Sequence, residues 1–224
     1  MKRAASGALW SVLKWAAVAS MVCDHVNVVL GRPSLAASVA GRFAFPLFAL
    51  GVGLVVHHLS RHPARYVALL VALGVVSEPA HRYFTGTDMP LNIGFTLGLG
   101  AALAIAWGPD RDAFGDWRRR LRWATPVLLV GALWVEYWIP GVLIPLVVAL
   151  LANRGWWAVG LGAAVLAIAG NWGHQTAWHL VLSFPLLLWA THRWGGRLPR
   201  GPRLFWYAFY PVHMWILRVL VPLG

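Results

Sequence analysis

The chain has 224 residues, of which 59% are apolar and only 12% charged, whereas a water-soluble domain carries about 45–50% apolar and about 25% charged residues. Too little polar surface remains to clothe a soluble fold. At about 20 apolar residues per bilayer crossing, no length is left for a separate soluble catalytic or nucleic-acid-binding domain. The formal net charge of +12 falls largely in short connecting segments, where basic residues record membrane topology rather than nucleic acid.

The expected fold is therefore all-α, a polytopic membrane helix bundle forming one domain over residues 1–224. Apolar runs between charged or turn-rich breaks give nine spans, at about 9–30, 43–59, 64–82, 91–107, 123–138, 140–153, 156–170, 176–192 and 204–222. The first run starts like a signal peptide, with Lys2, Arg3 and a later Ala17-Val18-Ala19. Lys14 interrupts it and the apolar stretch continues, so it reads as a retained span. The sixth run is short and carries Pro140 and Pro145, the pattern of a broken or re-entrant helix. With nine spans and the N-terminus inside, the basic residues of the 1–8, 60–65, 108–122, 154 and 193–203 segments lie on the inner side. Only Arg32, Arg42 and Arg82 fall outside, which supports an N-in, C-out topology. The 108–122 stretch reads as a basic loop.

A charge at bilayer depth costs about 2.5–3.5 kcal/mol on insertion scales, so each one needs a reason. Lys14, Asp24, His25, Arg42, Glu78, His81, Glu136, His213 and Arg218 all lie within or at the ends of apolar runs. At a rise of about 1.5 Å per residue, His25 lies about 24 Å from the start of the first span, and Glu78 and Glu136 about 18–20 Å up theirs. Arg42 and Asn92 open their spans at the same outer side. Polar groups from several spans thus converge in the outer half of the membrane.

Within that set Asp24-His25 is the sharpest unit, because imidazole takes and returns protons near neutrality. Arg42, one turn before Pro46, offers a fork for a phosphate, carboxylate or developing oxyanion. Glu78 or Asp24 can pair with it. Asn92 opens a glycine-rich helix start, where the glycines read as close helix packing. Arg118, Arg119 and Arg120 read as a topology signal or a contact for anionic membrane lipids, with a phosphate-rich cosubstrate as the alternative. The lone Cys23 excludes an internal disulfide, no metal is expected, and no GxSxG, HExxH or Walker A motif is present.

Taken in order, these pieces resemble the TraX family of membrane acetyltransferases. The matching blocks are Lys14 through Met21 to Asp24-His25, Gly41-Arg42-Phe43-Ala44-Phe45-Pro46-Leu47-Phe48, Arg65-Tyr66 leading to Ser77-Glu78-Pro79, Leu91-Asn92, and Phe209-Tyr210-Pro211-Val212-His213. The resemblance implies acetyl transfer from acetyl-CoA to an amine or hydroxyl acceptor, a pilin-like peptide or a glycan, the family's namesake acting on a pilin amino terminus. On that reading His25 is the general base or a transient acetyl carrier, with Asp24 orienting it. Arg42 and Asn92 stabilise the oxyanion or hold the thioester, and Glu78 holds Arg42. His213 is a second proton carrier or a ligand for the acceptor, Lys14 and Arg118–Arg120 bind the cosubstrate, and the membrane is a bacterial inner membrane. A small proton-coupled transporter or channel is the competing expectation, since buried His, Glu and Arg also make proton relays.

Overall fold

The computed structural model describes residues 3–30, 34–59, 62–109, 114–171, 177–194 and 202–221. Lys2, Arg32, Arg61, Arg111, Arg197 and Arg200, used above for topology, lie outside the described residues. Ten α-helices account for most of the rest: α1 (Arg3–Val29), α2 (Leu35–Gly41), α3 (Ala44–Leu54), α4 (Pro63–Thr85), α5 (Ile93–Trp107), α6 (Gly115–Gly131), α7 (Trp138–Leu151), α8 (Trp156–Gly170), α9 (Leu180–Trp194) and α10 (Arg203–Leu220). A π-helical turn, Val55–Leu59, extends α3, and a 3-10 turn, Ala132–Trp134, follows α6. The fold is all-α. Three helical stretches, Ser11–Val29, Leu35–His58 and Pro63–Thr85, are long and apolar enough to cross a membrane, and α5, α7 and α8 are shorter apolar helices.

Local chemistry sets the boundaries. Asn27 accepts from the Ser34 amide and donates to Ser38, closing the turn between α1 and α2. Gly86, at φ 71°, ends α4 in the left-handed region that glycine enters without a Cβ clash. Asn92 caps α5 by accepting from the Gly94 amide. The expected second span is longer than its apolar core, because α2 runs into α3 through a kink at Arg42 and Phe43. The sixth run is a helix, α7, with Pro145 inside it. The basic loop expected at 108–122 is corrected: from Gly115 onward it is the first turns of α6, arginine being a good helix former and Asp116 favourable in the first turn.

At the centre of the bundle stands α3, buried at every position except Phe48, with α5 and α7 packed against it. At the edge, α6 buries no residue and lies chiefly on α5. The outside is apolar: Val76, Trp123, Val127, Leu182 and Val219 are all exposed. Water would penalise such a surface, whereas lipid does not. Close approach of α4 and α5 depends on glycine, since a Cβ on Gly94 would stand 2.6 Å from the Gly74 Cα.

Candidate functional site

The C-terminal parts of α1, α4, α8 and α10 and the N-terminal ends of α3, α5 and α7 gather polar side chains at one end of the bundle. On α1, consecutive residues point about 100° apart. Asp24 therefore faces the α2–α3 kink while His25 faces α10. His25 Nδ1 lies 2.6 Å from His213 Nε2, and the rings are nearly parallel at 4°. His213 Nδ1 lies 2.7 Å from the Phe209 carbonyl.

Those two distances assign the tautomers. A carbonyl oxygen only accepts, so His213 Nδ1 carries a proton and donates. In neutral His213 the Nε2 atom is then an acceptor, and His25 Nδ1 must donate to it. His25 Nε2 is left with its lone pair and makes no hydrogen bond among the described residues. The Phe84 ring flanks it, centroids 4.7 Å apart.

Arg42 is held from two sides. Its Nη1 donates to Asn171 Oδ1 at 3.0 Å, and its Nη2 stands 3.6 Å from Asp24 Oδ1. Nε is buried and has no hydrogen-bond partner among the described residues. Ser20 ties the kink to α1 by donating to the Ala40 and Gly41 carbonyls. A Cβ on Gly41 would lie 2.5 Å from Asp24 Oδ1, so the Asp24–Arg42 pairing requires glycine there.

A second cluster lies between α4, α5 and the α6–α7 connection. Glu78 accepts from Arg82 Nε at 3.0 Å and from Asn92 Nδ2 at 2.7 Å. His81 Nε2 lies 3.3 Å from Glu136 Oε1. Glu136 is fixed through its backbone, its amide donating to the Leu91 carbonyl and its own carbonyl accepting from Thr96. The next two residues, Tyr137 and Trp138, both have positive φ, 62° and 50°. A non-glycine residue there costs about 1–3 kcal/mol, a strain that clusters at functional sites. Stacking of Tyr137 on Phe45, centroids 3.8 Å apart, holds the segment in place. Tyr210 is buried with Ala80, Phe84 and Met214, and Ile93 at the start of α5 packs against that cluster.

Asp24, His25, Arg42, Glu78, Asn92 and His213 thus share one end of the molecule, but their pairings differ from expectation. Glu78 does not hold Arg42; it pairs with Arg82, one helical turn on, which lies closer along α4. Asn92 is fully buried. Its amide nitrogen is committed to Glu78 and to the Gly74 carbonyl, so no donor remains for an oxyanion. The orienting partner seen on His25 is His213, whereas Asp24 faces Arg42.

Lys14 and the arginine run stand apart from this end. Lys14 Nζ lies over the Trp206 ring at 5.1 Å, eleven residues or about 16 Å along α1 from His25. Arg118 and Arg122 donate to the Gly108 and Ala106 carbonyls and so cap α5. Arg119 pairs with Asp116, and Arg120 lies over Trp117. These groups flank the far end of α5, about 21 Å from Ile93 by helical rise.

Asn171 and Tyr137 complete the polar end and escape a search for groups charged at neutral pH, while Tyr210 lies in the Phe209–His213 block. Asn171 at the end of an apolar run, and Tyr137 directly after the isolated Glu136, were the available signals. From Lys14 to His25 runs a ladder of rings: Trp15 on Trp206 (5.1 Å) and Phe205 (5.4 Å), Phe205 on Phe209 (5.3 Å), and Phe209 on His213 (4.8 Å).

Comparison with known proteins agrees with the motif pattern. The TraX protein family matches residues 10–221. Protein TraX of Escherichia coli is 32% identical over 126 residues, covering 55% of this chain and 46% of its own length, so the match spans less than half of that relative. No solved structure matches the chain. A family match over nearly the whole length, through every block that carries the polar end, makes this chain a member of the TraX family.

Proposed function

We propose that the protein is a multi-pass inner-membrane acetyltransferase, moving an acetyl group from cytoplasmic acetyl-CoA to an amine or hydroxyl acceptor at the outer half of the membrane. The observation that carries this reading is the tautomer assignment of His25. A histidine whose Nδ1 proton is committed to a second histidine presents Nε2 as a base. His25 Nε2 takes the proton from the acceptor nitrogen or oxygen, which attacks the thioester carbonyl. The developing oxyanion is met by the Arg42 guanidinium, whose unpartnered Nε is a donor in reserve. The C–S bond then breaks, and the CoA thiolate leaves and takes up a proton. His213 orients and Asp24 steadies Arg42.

The donor approaches along the ring ladder. Lys14 meets the phosphates, and Trp15 and Trp206 offer faces to the adenine. The pantetheine arm then runs up to His25, on the order of 15 Å for a segment the length of four to five extended residues, which matches the rise from Lys14. Nine spans, with the N-terminus inside and the C-terminus outside, belong to this reading. The acceptor class is a pilin-like peptide amino terminus or a glycan hydroxyl.

The deciding experiment incubates purified protein with acetyl-labelled acetyl-CoA and follows CoA release and transfer of label to a peptide amine, alongside His25→Ala. Turnover that depends on His25 supports the reading. Undiminished transfer by a well-folded His25→Ala protein overturns the mechanism. Absence of turnover together with proton flux in liposomes replaces it with a proton-coupled transporter.

A further inference from the structure

We propose that His81 and Glu136 are the site's second proton-transfer pair, delivering the proton that the departing thiolate needs; this rests on the acetyltransferase reading above. His25 and His213 are committed to each other and leave one free nitrogen, enough for the acceptor's proton. One histidine can serve both steps of an acyl transfer, but a second acid placed at the sulfur removes the need to carry that proton across the site.

Several observations single out His81. It is almost wholly buried, 3% exposed, yet its Nδ1 has no hydrogen-bond partner among the described residues. A buried ring nitrogen left unpaired is costly unless a reacting group completes it. Its other nitrogen faces Glu136 at 3.3 Å, a carboxylate able to sustain an imidazolium. The remaining carboxylates at this end are matched to guanidinium groups: Asp24 to Arg42, and Glu78 and Asp88 to Arg82. Glu136 has the histidine instead. The left-handed pair Tyr137 and Trp138 follows directly after it, and the backbone bonds to Leu91 and Thr96 hold its carboxylate at His81. Phe84, three residues further along α4, lays its ring against His25 with centroids 4.7 Å apart.

The step balances. As the C–S bond breaks, the bonding pair goes to sulfur and the proton on His81 Nδ1 passes to it, giving free CoA thiol. His81 is then neutral, with Nε2–H still on Glu136. The proton taken by His25 from the acceptor leaves to solvent, and His81 takes one back. One proton is lost by the acceptor and one gained by the thiol.

The test changes only the leaving group. Acetyl-CoA is compared with its selenoester analogue, whose selenolate is a much weaker base and departs without protonation, using a synthetic pentapeptide with a free amino terminus as acceptor. His81→Gln and Glu136→Gln are compared with wild type and His25→Gln, each checked for unchanged helicity and monodisperse elution. His81→Gln is expected to slow transfer from the thioester by about 10²-fold and to return within a few-fold of wild type on the selenoester. Glu136→Gln follows the same pattern with a smaller loss, and His25→Gln stays slow on both. Equal loss on both donors, or no loss on either, overturns the assignment while leaving the acetyltransferase reading intact. Failure of wild type to use either donor overturns that reading, and this one with it. If His81→Gln fails to fold, Glu136→Gln alone decides by the same ratio.

Discussion

The guanidinium of Arg218, near the end of α10, donates from both Nε and Nη2 to the Phe84 carbonyl at the end of α4. That carbonyl lies in the last turn of α4, where no amide of the helix remains to meet it. The bond fixes α10 against α4 five residues beyond His213. Arg218→Met should therefore leave the bundle folded but lower transfer about 10-fold or more, through a misplaced His213. A fall in kcat at nearly constant KM, with a loss of thermal stability equivalent to about 1–3 kcal/mol, is the expected result.

Replacing His213 by phenylalanine keeps the ring on Phe209 but removes the acceptor for His25 Nδ1. Without it neither His25 tautomer is preferred, and transfer should fall by about 10²-fold or more. Nitrogen chemical shifts of labelled histidine report the tautomer directly. In wild type His25 should show a protonated Nδ1 and a bare Nε2, and the variant should show a mixture.

Arg42→Lys keeps the charge beside Asp24 but removes the planar fork and its Nε donor. A drop in kcat of about 10²-fold with acetyl-CoA KM nearly unchanged is expected if Arg42 acts on the developing oxyanion. Equal changes in kcat and KM would reassign it to holding the ground-state donor.

The ring ladder makes its own prediction through donor truncation. Lys14→Met and Trp206→Ala should raise KM for acetyl-CoA about 10-fold, worth about 1.4 kcal/mol. With S-acetyl-pantetheine, which lacks the nucleotide, the same variants should match wild type. Loss on both donors would place Lys14 in helix packing rather than recognition.

Helix type and the existence of an inward-gathered polar end were legible from hydropathy and from the cost of charge in apolar runs. Pairing was not. Asp24 and Glu78 are both carboxylates at similar depth, and nothing in the order of residues says which meets Arg42; Arg82, one turn after Glu78, settles it locally. The His25–His213 bond joins residues 188 apart and depends on how α1 and α10 lie together. The arginine run looked available to a ligand because its partners, the last carbonyls of α5, are backbone groups invisible to a reading of side chains. His81 and Glu136 were visible as charges in the wrong place, but only folding puts one beside the other.

The placement of the two bonded histidines on α1 and α10, 188 residues apart, has a consequence for biogenesis. A chain still emerging from the ribosome holds His25 in the bilayer long before α10 exists, so the imidazole has no partner to set its tautomer. On the proposed acetyltransferase reading, reactive chemistry is thereby withheld until α10 has been made and has docked. A chain cut short before α10 should be inert, and adding the missing helix as a separate peptide should restore activity only where it seats against both α1 and α4.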